Sequence, residues 1–198
     1  NVPRIGFVNK MDRAGADFLN VVKEVKERLH GNPVPLQIPI GAEEHFKGVV
    51  DLITNKGIVW DDATLGSTFT EVPIPEDLLE TVKEYREKLV EQVAEFDDKL
   101  LEKFFDNPDS ITVEELRAAI RAATISMKIT PMMCGSAFKN KGVQTALDAV
   151  IQYLPSPADL PGVIGYNPDT DAEEIRKPEV EEPFAALAFK IMTDPFVG

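Results

Sequence analysis

A single cysteine in 198 residues excludes an internal disulfide framework. Cys134 closes an apolar run and reads as a small buried residue rather than a reactive thiol. The two histidines, His30 and His45, are too isolated to form a metal site or a catalytic pair, and they read as surface or helix-end side chains. No apolar run approaches the ~18 residues that a membrane span requires, and no targeting segment is visible, so a cytoplasmic location is expected. Positive charge is also scarce. Lys and Arg number 21 against 34 Asp and Glu, a formal net charge of −13. That balance repels phosphate backbones, so no strong direct nucleic-acid surface is expected. Aromatics make up 8% of the chain and form no basic-aromatic patch.

The run Arg4-Ile5-Gly6-Phe7-Val8 leads into Asn9-Lys10-Met11-Asp12, an NKxD string placed between a strand and a helix. Ligands of parallel α/β sheets bind outside the carboxyl ends of the strands. The Asp12 carboxylate can accept two hydrogen bonds at once, from N1–H and the exocyclic amine of guanine. Adenine offers neither donor, and a buried polar group left unpaired is a strong basis for rejection. Asn9 can address the N7/O6 edge and tie neighbouring loops, while the Lys10 stem lies along the base. The bland alternative is a polar turn that holds no ligand.

A second candidate is Cys134-Gly135-Ser136-Ala137-Phe138, which follows the apolar run from Ile129 to Met133 and precedes a helical pattern at Val143, Leu147, Val150, Ile151 and Leu154. Small residues let backbone approach a ligand, and the N–H of Ala137 or Phe138 could donate to guanine O6. Alone, an ordinary strand-to-helix turn would explain it.

Together the two motifs resemble the fourth and fifth guanine-nucleotide motifs of translational GTPases. The likeness extends through Asn9-Lys10-Met11-Asp12-Arg13-Ala14-Gly15-Ala16-Asp17, Pro39-Ile40-Gly41-Ala42-Glu43, Lys128-Ile129-Thr130-Pro131, Gly135-Ser136-Ala137-Phe138-Lys139-Asn140-Lys141-Gly142-Val143-Gln144, Tyr153-Leu154-Pro155-Ser156-Pro157 and Ala185-Ala186-Leu187-Ala188-Phe189-Lys190-Ile191-Met192. On these residues the chain resembles the bacterial elongation factor G family. The resemblance implies guanine-base contacts from Asn9, Lys10, Asp12, Ser136, Ala137 and Phe138, GTP or GDP as ligand, and a ribosomal translocase as the larger protein.

No GxxxxGK[ST] phosphate loop occurs, so no catalytic residue and no magnesium ligand are assigned; Mg2+ would be held in the larger protein by residues outside this chain. The strings Asp12-Arg13-Ala14-Gly15 and Asp159-Leu160-Pro161-Gly162 match DxxG, but one belongs to the base loop and the other lies among prolines. The chain thus reads as a piece of a longer protein, inactive by itself as a hydrolase.

Asp12 and Ser136 stand much further apart than the roughly 30 residues of one crossover unit, which implies an insertion. A first helix carries Phe18, Val22, Val25 and Leu29 and ends near Gly31-Asn32-Pro33. From 34 to 60 the texture is β, with a hairpin turn at Asn55-Lys56-Gly57. One long helix is then predicted, with Leu78, Val82, Tyr85, Leu89, Val93, Phe96, Leu100 and Phe104 on a single stripe. Thr112-Val113-Glu114-Glu115 is a capping box for the next helix. Residues 155–183, acidic and proline-rich, read as a linker, and the alternation of Leu187, Phe189 and Ile191 reads as a strand over 184–192.

The expected fold is α/β: the C-terminal part of a P-loop GTPase doubly wound sheet, interrupted by an inserted α+β subdomain and followed by one strand of a β-barrel. Its expected segments are 1–30 and 126–155 for the GTPase part, 31–125 for the insert, 156–182 for a linker and 183–198 for the barrel start. The resemblance further implies that the insert meets the stalk protein of the large ribosomal subunit, with the outer helix face bearing Glu80, Glu84, Glu87, Glu91 and Glu95 as candidate surface. A solvated helix face explains those glutamates equally well. Readings left open are a ribosomal-protection or release-type GTPase, or a protein-interaction module on a GTPase scaffold.

Overall fold

The computed structural model describes residues 2–193, which divide into two compact units that meet at Leu154 and Pro155 in the sequence. The first unit opens with β1 (Gly6–Val8) and α1 (Phe18–Leu29). Asp17 caps α1 by accepting from the Asn20 N–H, and His30 ends it in the left-handed region at φ 51°. Next come β2 (Pro33–Pro35) and β3 (Gln37–Ile40). The sequence pattern shows one continuous β stretch here, but the chain changes sheets at Leu36. Its N–H donates to the Met132 carbonyl and its own carbonyl accepts from Leu52, so a single residue joins two ladders.

The first ladder is a parallel sheet ordered β1-β7-β2, with β7 (Thr130–Cys134) at its centre. Pro33 and Pro35 lie on its edge strand, where a missing donor costs least. Thus β2, inside the range 31–125 set apart as an insert, belongs to the parallel sheet. The second ladder is an antiparallel meander of β3, β4 (Gly48–Asp51), β5 (Lys56–Trp60) and β6 (Phe69–Val72). The β4–β5 turn lies before Gly57, which is itself in β5: Asp51 Oδ1 accepts from the N–H groups of Ile53 and Thr54, and Asn55 takes φ 60°. Strand β6 was not legible because its residues are mostly exposed on an edge and show no alternation.

Helices α2 (Leu79–Ala94), α3 (Asp98–Asp106) and α4 (Val113–Ile125) cover one side. The long helix expected over this region is broken at residues 95–97. Asp97 is the reason, since its side chain accepts from the N–H groups of Lys99 and Leu100 and starts a new helix. The apolar stripe breaks there too, leaving Phe96 exposed. Thr112 and Glu115 form the expected capping box on α4. After β7 a 3-10 turn (Ala137–Lys139) leads to α5 (Val143–Tyr153).

Two buried clusters hold this unit. One joins Val50 and Leu52 of the antiparallel region to Val82, Leu89, Leu116, Ile120, Met133 and Tyr153. The other joins Val49, Ile58, Trp60 and Phe46 to Met11, Phe18, Met132 and Cys134. Successive residues of β4, Val49 and Val50, enter opposite clusters, as do Met132 and Met133 of β7. Strands β4 and β7 are therefore covered on both faces, which explains their unbroken apolar runs. Burial also pushes the Cys134 thiol well above its ordinary value.

The second unit contains a hairpin of β8 (Val163–Tyr166) and β9 (Glu173–Arg176), inside the stretch expected as linker. Asn167 Oδ1 accepts from the N–H groups of Asp169 and Thr170 and makes the turn. The strand expected over 184–192 is absent: residues 184–192 join no ladder, and Leu187, Phe189 and Ile191 are exposed. Alternation marks which residues would share a face, but a strand exists only where another backbone completes its hydrogen bonds.

Candidate functional site

Both candidate loops leave the same end of neighbouring strands. Val8 pairs with Cys134 at the carboxyl ends of β1 and β7, and the chain then turns outward in each. The loops are stitched by backbone: Gly135 N–H donates to the Val8 carbonyl, and Met11 N–H donates to the Gly135 carbonyl, each at 3.0 Å. Gly135 has to be glycine, because a Cβ there would lie 2.3 Å from the Lys141 carbonyl oxygen and 2.7 Å from the Phe7 ring. Met11 is buried with Phe18, Phe46 and Val49, so the variable position of NKxD anchors its loop in the core. Lys10 beside it adopts φ 65° and is exposed.

Asn9 makes the direct tie between the motifs. Its Oδ1 accepts from Ala137 N–H at 3.0 Å and from Lys10 N–H at 2.8 Å. The Ala137 amide, considered for guanine O6, is therefore engaged with Asn9. Asp12 keeps 13% of its side-chain surface exposed, with Lys139 Nζ 3.8 Å from its Oδ2. Ser136 is buried, and among the described residues its Oγ has no partner within hydrogen-bonding geometry. That hydroxyl is still close enough to be the main influence holding the Asp12 carboxyl below its ordinary value, with the charges of Lys139 and Arg13 adding to it. Phe138 departs from the cluster: its side chain is 98% exposed.

The ionised carboxylate of Asp12 can take two parallel N–H donors. Asn9 and Lys10 are exposed.

Sequence reasoning gave no role to Lys141. The structure buries it to 3% exposure and sets its Nζ 2.8 Å from Asp62 Oδ1 and 3.3 Å from the Phe46 carbonyl. Its backbone closes the second loop through a reciprocal pair of bonds with Ser136. A lysine in a polar loop carries no sequence sign of burial, since its partner lies far away in the chain.

The family model for the elongation factor Tu GTP binding domain matches residues 1–156, which include both loops. The chain belongs to the elongation factor Tu GTP-binding domain family. Among curated relatives, Elongation factor G of Amoebophilus asiaticus is 67% identical over 197 residues, and Elongation factor G of Cytophaga hutchinsonii is 62% identical over 197. Each alignment takes in 100% of this chain, which spans 28% of each relative's length. A crystal structure from Thermus thermophilus superposes with a TM-score of 0.68 at 25% identity, covering 79% of this chain and 23% of that one. This member of the GTP-binding domain family thus carries its two candidate loops within the matched range. Among the described residues, no helix is long and apolar enough to cross a membrane.

Proposed function

We propose that this chain supplies guanine recognition within a larger translational GTPase of the elongation factor G type. The observation that carries the reading is the side-chain tie from Asn9 to Ala137, which joins the loop bearing Asp12 to the loop bearing Ser136. Asp12 reads N1–H and the exocyclic amine, Asn9 and Lys10 frame the base, and of the two amides considered for O6 the Phe138 N–H takes that role, since the Ala137 N–H is held by Asn9. The nucleotide is GTP or GDP. Its phosphates and Mg2+ are held by parts of the larger protein outside this chain, which lacks a phosphate-loop string. That protein hydrolyses GTP on the ribosome to drive movement of transfer and messenger RNA, in the cytoplasm.

Substituting Asp12→Asn in the full-length protein tests the base reading. The amide replaces one acceptor by a donor suited to the O2 carbonyl of xanthine, so preference should move from guanine towards xanthine nucleotides. Competition binding that still favoured GTP over XTP by the wild-type margin would remove Asp12 from this role.

The stalk of the large ribosomal subunit is the proposed partner of α2. Glu80, Glu84, Glu87, Glu91 and Glu95 are all exposed and follow one another at helical spacing. Reversing Glu84, Glu87 and Glu91 should leave the fold intact, because exposed helix charges contribute little each. Stalk-dependent GTP turnover on ribosomes should slow. A rate unaltered across a salt series would assign these glutamates to solvation alone.

A further inference from the structure

The antiparallel sheet does more than pack beside the base-reading loops. Two of its contacts end on them and a third ends on Gln144, at the start of α5 just beyond the second loop. Glu43, in the turn after β3, accepts from Gly15 N–H at 2.7 Å and so closes the outer end of the first loop. Glu43 sits at φ 52°, a region that disfavours a side chain of its kind, and Gly41 just before it has no room for a Cβ, which would lie 2.1 Å from the His45 carbonyl oxygen. The second loop is held by Lys141. A buried ammonium is costly without compensation, and here the compensation comes from Asp62, after β5, and from the Phe46 carbonyl, after β3. The third contact is at buried Gly66, whose carbonyl accepts from Gln144 Nε2 at 3.0 Å, while Gln144 Oε1 accepts from Trp60 Nε1 at 3.0 Å. A Cβ on Gly66 would stand 2.3 Å from the Lys139 carbonyl oxygen.

These contacts converge on the groups that would touch a base. Lys141 pairs with Ser136 across the loop, Ser136 sets its hydroxyl near Asp12, and Lys139 Nζ faces the Asp12 carboxylate. Met11, adjacent to Asp12, is packed on Phe46 and Val49 of the same sheet region. We infer that the turns 41–46 and 61–67 of the antiparallel sheet set the register of the guanine-reading loops, with Glu43, Asp62 and Lys141 as positioning residues for base selectivity. The inference rests on the guanine-reading proposal. The Lys141 contact also holds the Asp62 carboxyl below its ordinary value, in keeping with an intact ion pair.

Two diphosphates separate positioning from simple stability. Inosine diphosphate lacks the exocyclic amine, so the ratio of GDP to IDP affinity reports the second hydrogen bond to Asp12. In the full-length protein, calorimetry with both nucleotides is run on wild type, Asp62→Asn, Gly66→Ala and Asp12→Asn, each checked for folding by its melting curve. Asp62 is itself exposed but balances the buried Lys141 ammonium, so Asp62→Asn is read only where its melting curve shows a folded protein, and Gly66→Ala displaces the loop without removing a charge. We expect Asp62→Asn and Gly66→Ala each to weaken GDP binding about tenfold and IDP binding less, which narrows the ratio. A wild-type ratio in both folded variants overturns the inference. If Asp12→Asn erases the preference while the other two keep it, the coupling fails and the base reading stands. A wild-type protein without preference, or an Asp12→Asn variant that keeps it, takes down both.

Discussion

The surroundings of Asp12 favour its ionised form, the one able to accept two donors. The Ser136 hydroxyl is the largest influence, opposed by partial burial and assisted by Lys139 and Arg13. A carboxyl whose folded value lies below its unfolded one stabilises the fold fully above the unfolded value, near 4 for aspartate, and loses that contribution as pH falls through the lowered value. On the proposed reading, base recognition should be insensitive to pH around neutrality, fade in acid as Asp12 takes up a proton, and fade in alkali as guanine loses its N1 proton. Replacing Ser136 by Ala removes the main lowering influence. NMR titration of the Asp12 carboxyl should show its midpoint moving up in the Ser136→Ala variant, and an unmoved midpoint would mean that the hydroxyl does not reach it. Asp51 has the opposite tendency. Its carboxyl is raised, chiefly by burial, while the N–H groups of Ile53 and Thr54 oppose the rise.

At the scale of elements, the break between α2 and α3 shows a short polar side chain overruling an apolar period. Val93 and Leu100 are buried on either side of it, so spacing alone permits one helix. Asp97 competes by giving two backbone N–H groups a partner at the start of α3. The two arrangements predict opposite signs for Asp97→Ala. In the observed one the variant loses a cap and about 1 kcal/mol of stability. In a continuous helix, alanine would instead stabilise by roughly 0.5 kcal/mol. Urea denaturation decides between them. The hand-over at Leu36 has the same character: one β-like run serves two ladders because Met132 and Asp51 present pairing edges on successive stretches.

For the whole molecule, buried cores are confined to the first unit. Among the described residues, every fully buried member of both clusters lies between Met11 and Tyr153. The hairpin of the second unit is largely exposed, and Phe184, Leu187, Phe189 and Ile191 each retain most of their surface. Apolar residues on an unpaired extended segment invite association with another chain. Deleting 182–198 should therefore reduce self-association, read by light scattering, without lowering the melting temperature of the remainder. A lower melting temperature would place that segment in a core after all.

The sequence by itself determined the local chemistry. NKMD between a strand and a helix, the small-residue turn after a second strand, the Asp17 and Thr112 caps and the Asn167 turn are each set by side chains acting on backbone within a few residues, so they could be read without a fold. Tertiary structure alone decided what depends on distant partners. It chose which sheet Val34 and Ile38 enter, gave exposed β6 a neighbour in β5, and withheld one from residues 184–192. It also buried Lys141 against Asp62, a pairing that no local pattern announces. An ion pair or a ladder forms only where folding brings its two halves together, and their separation along the chain carries no trace of that meeting.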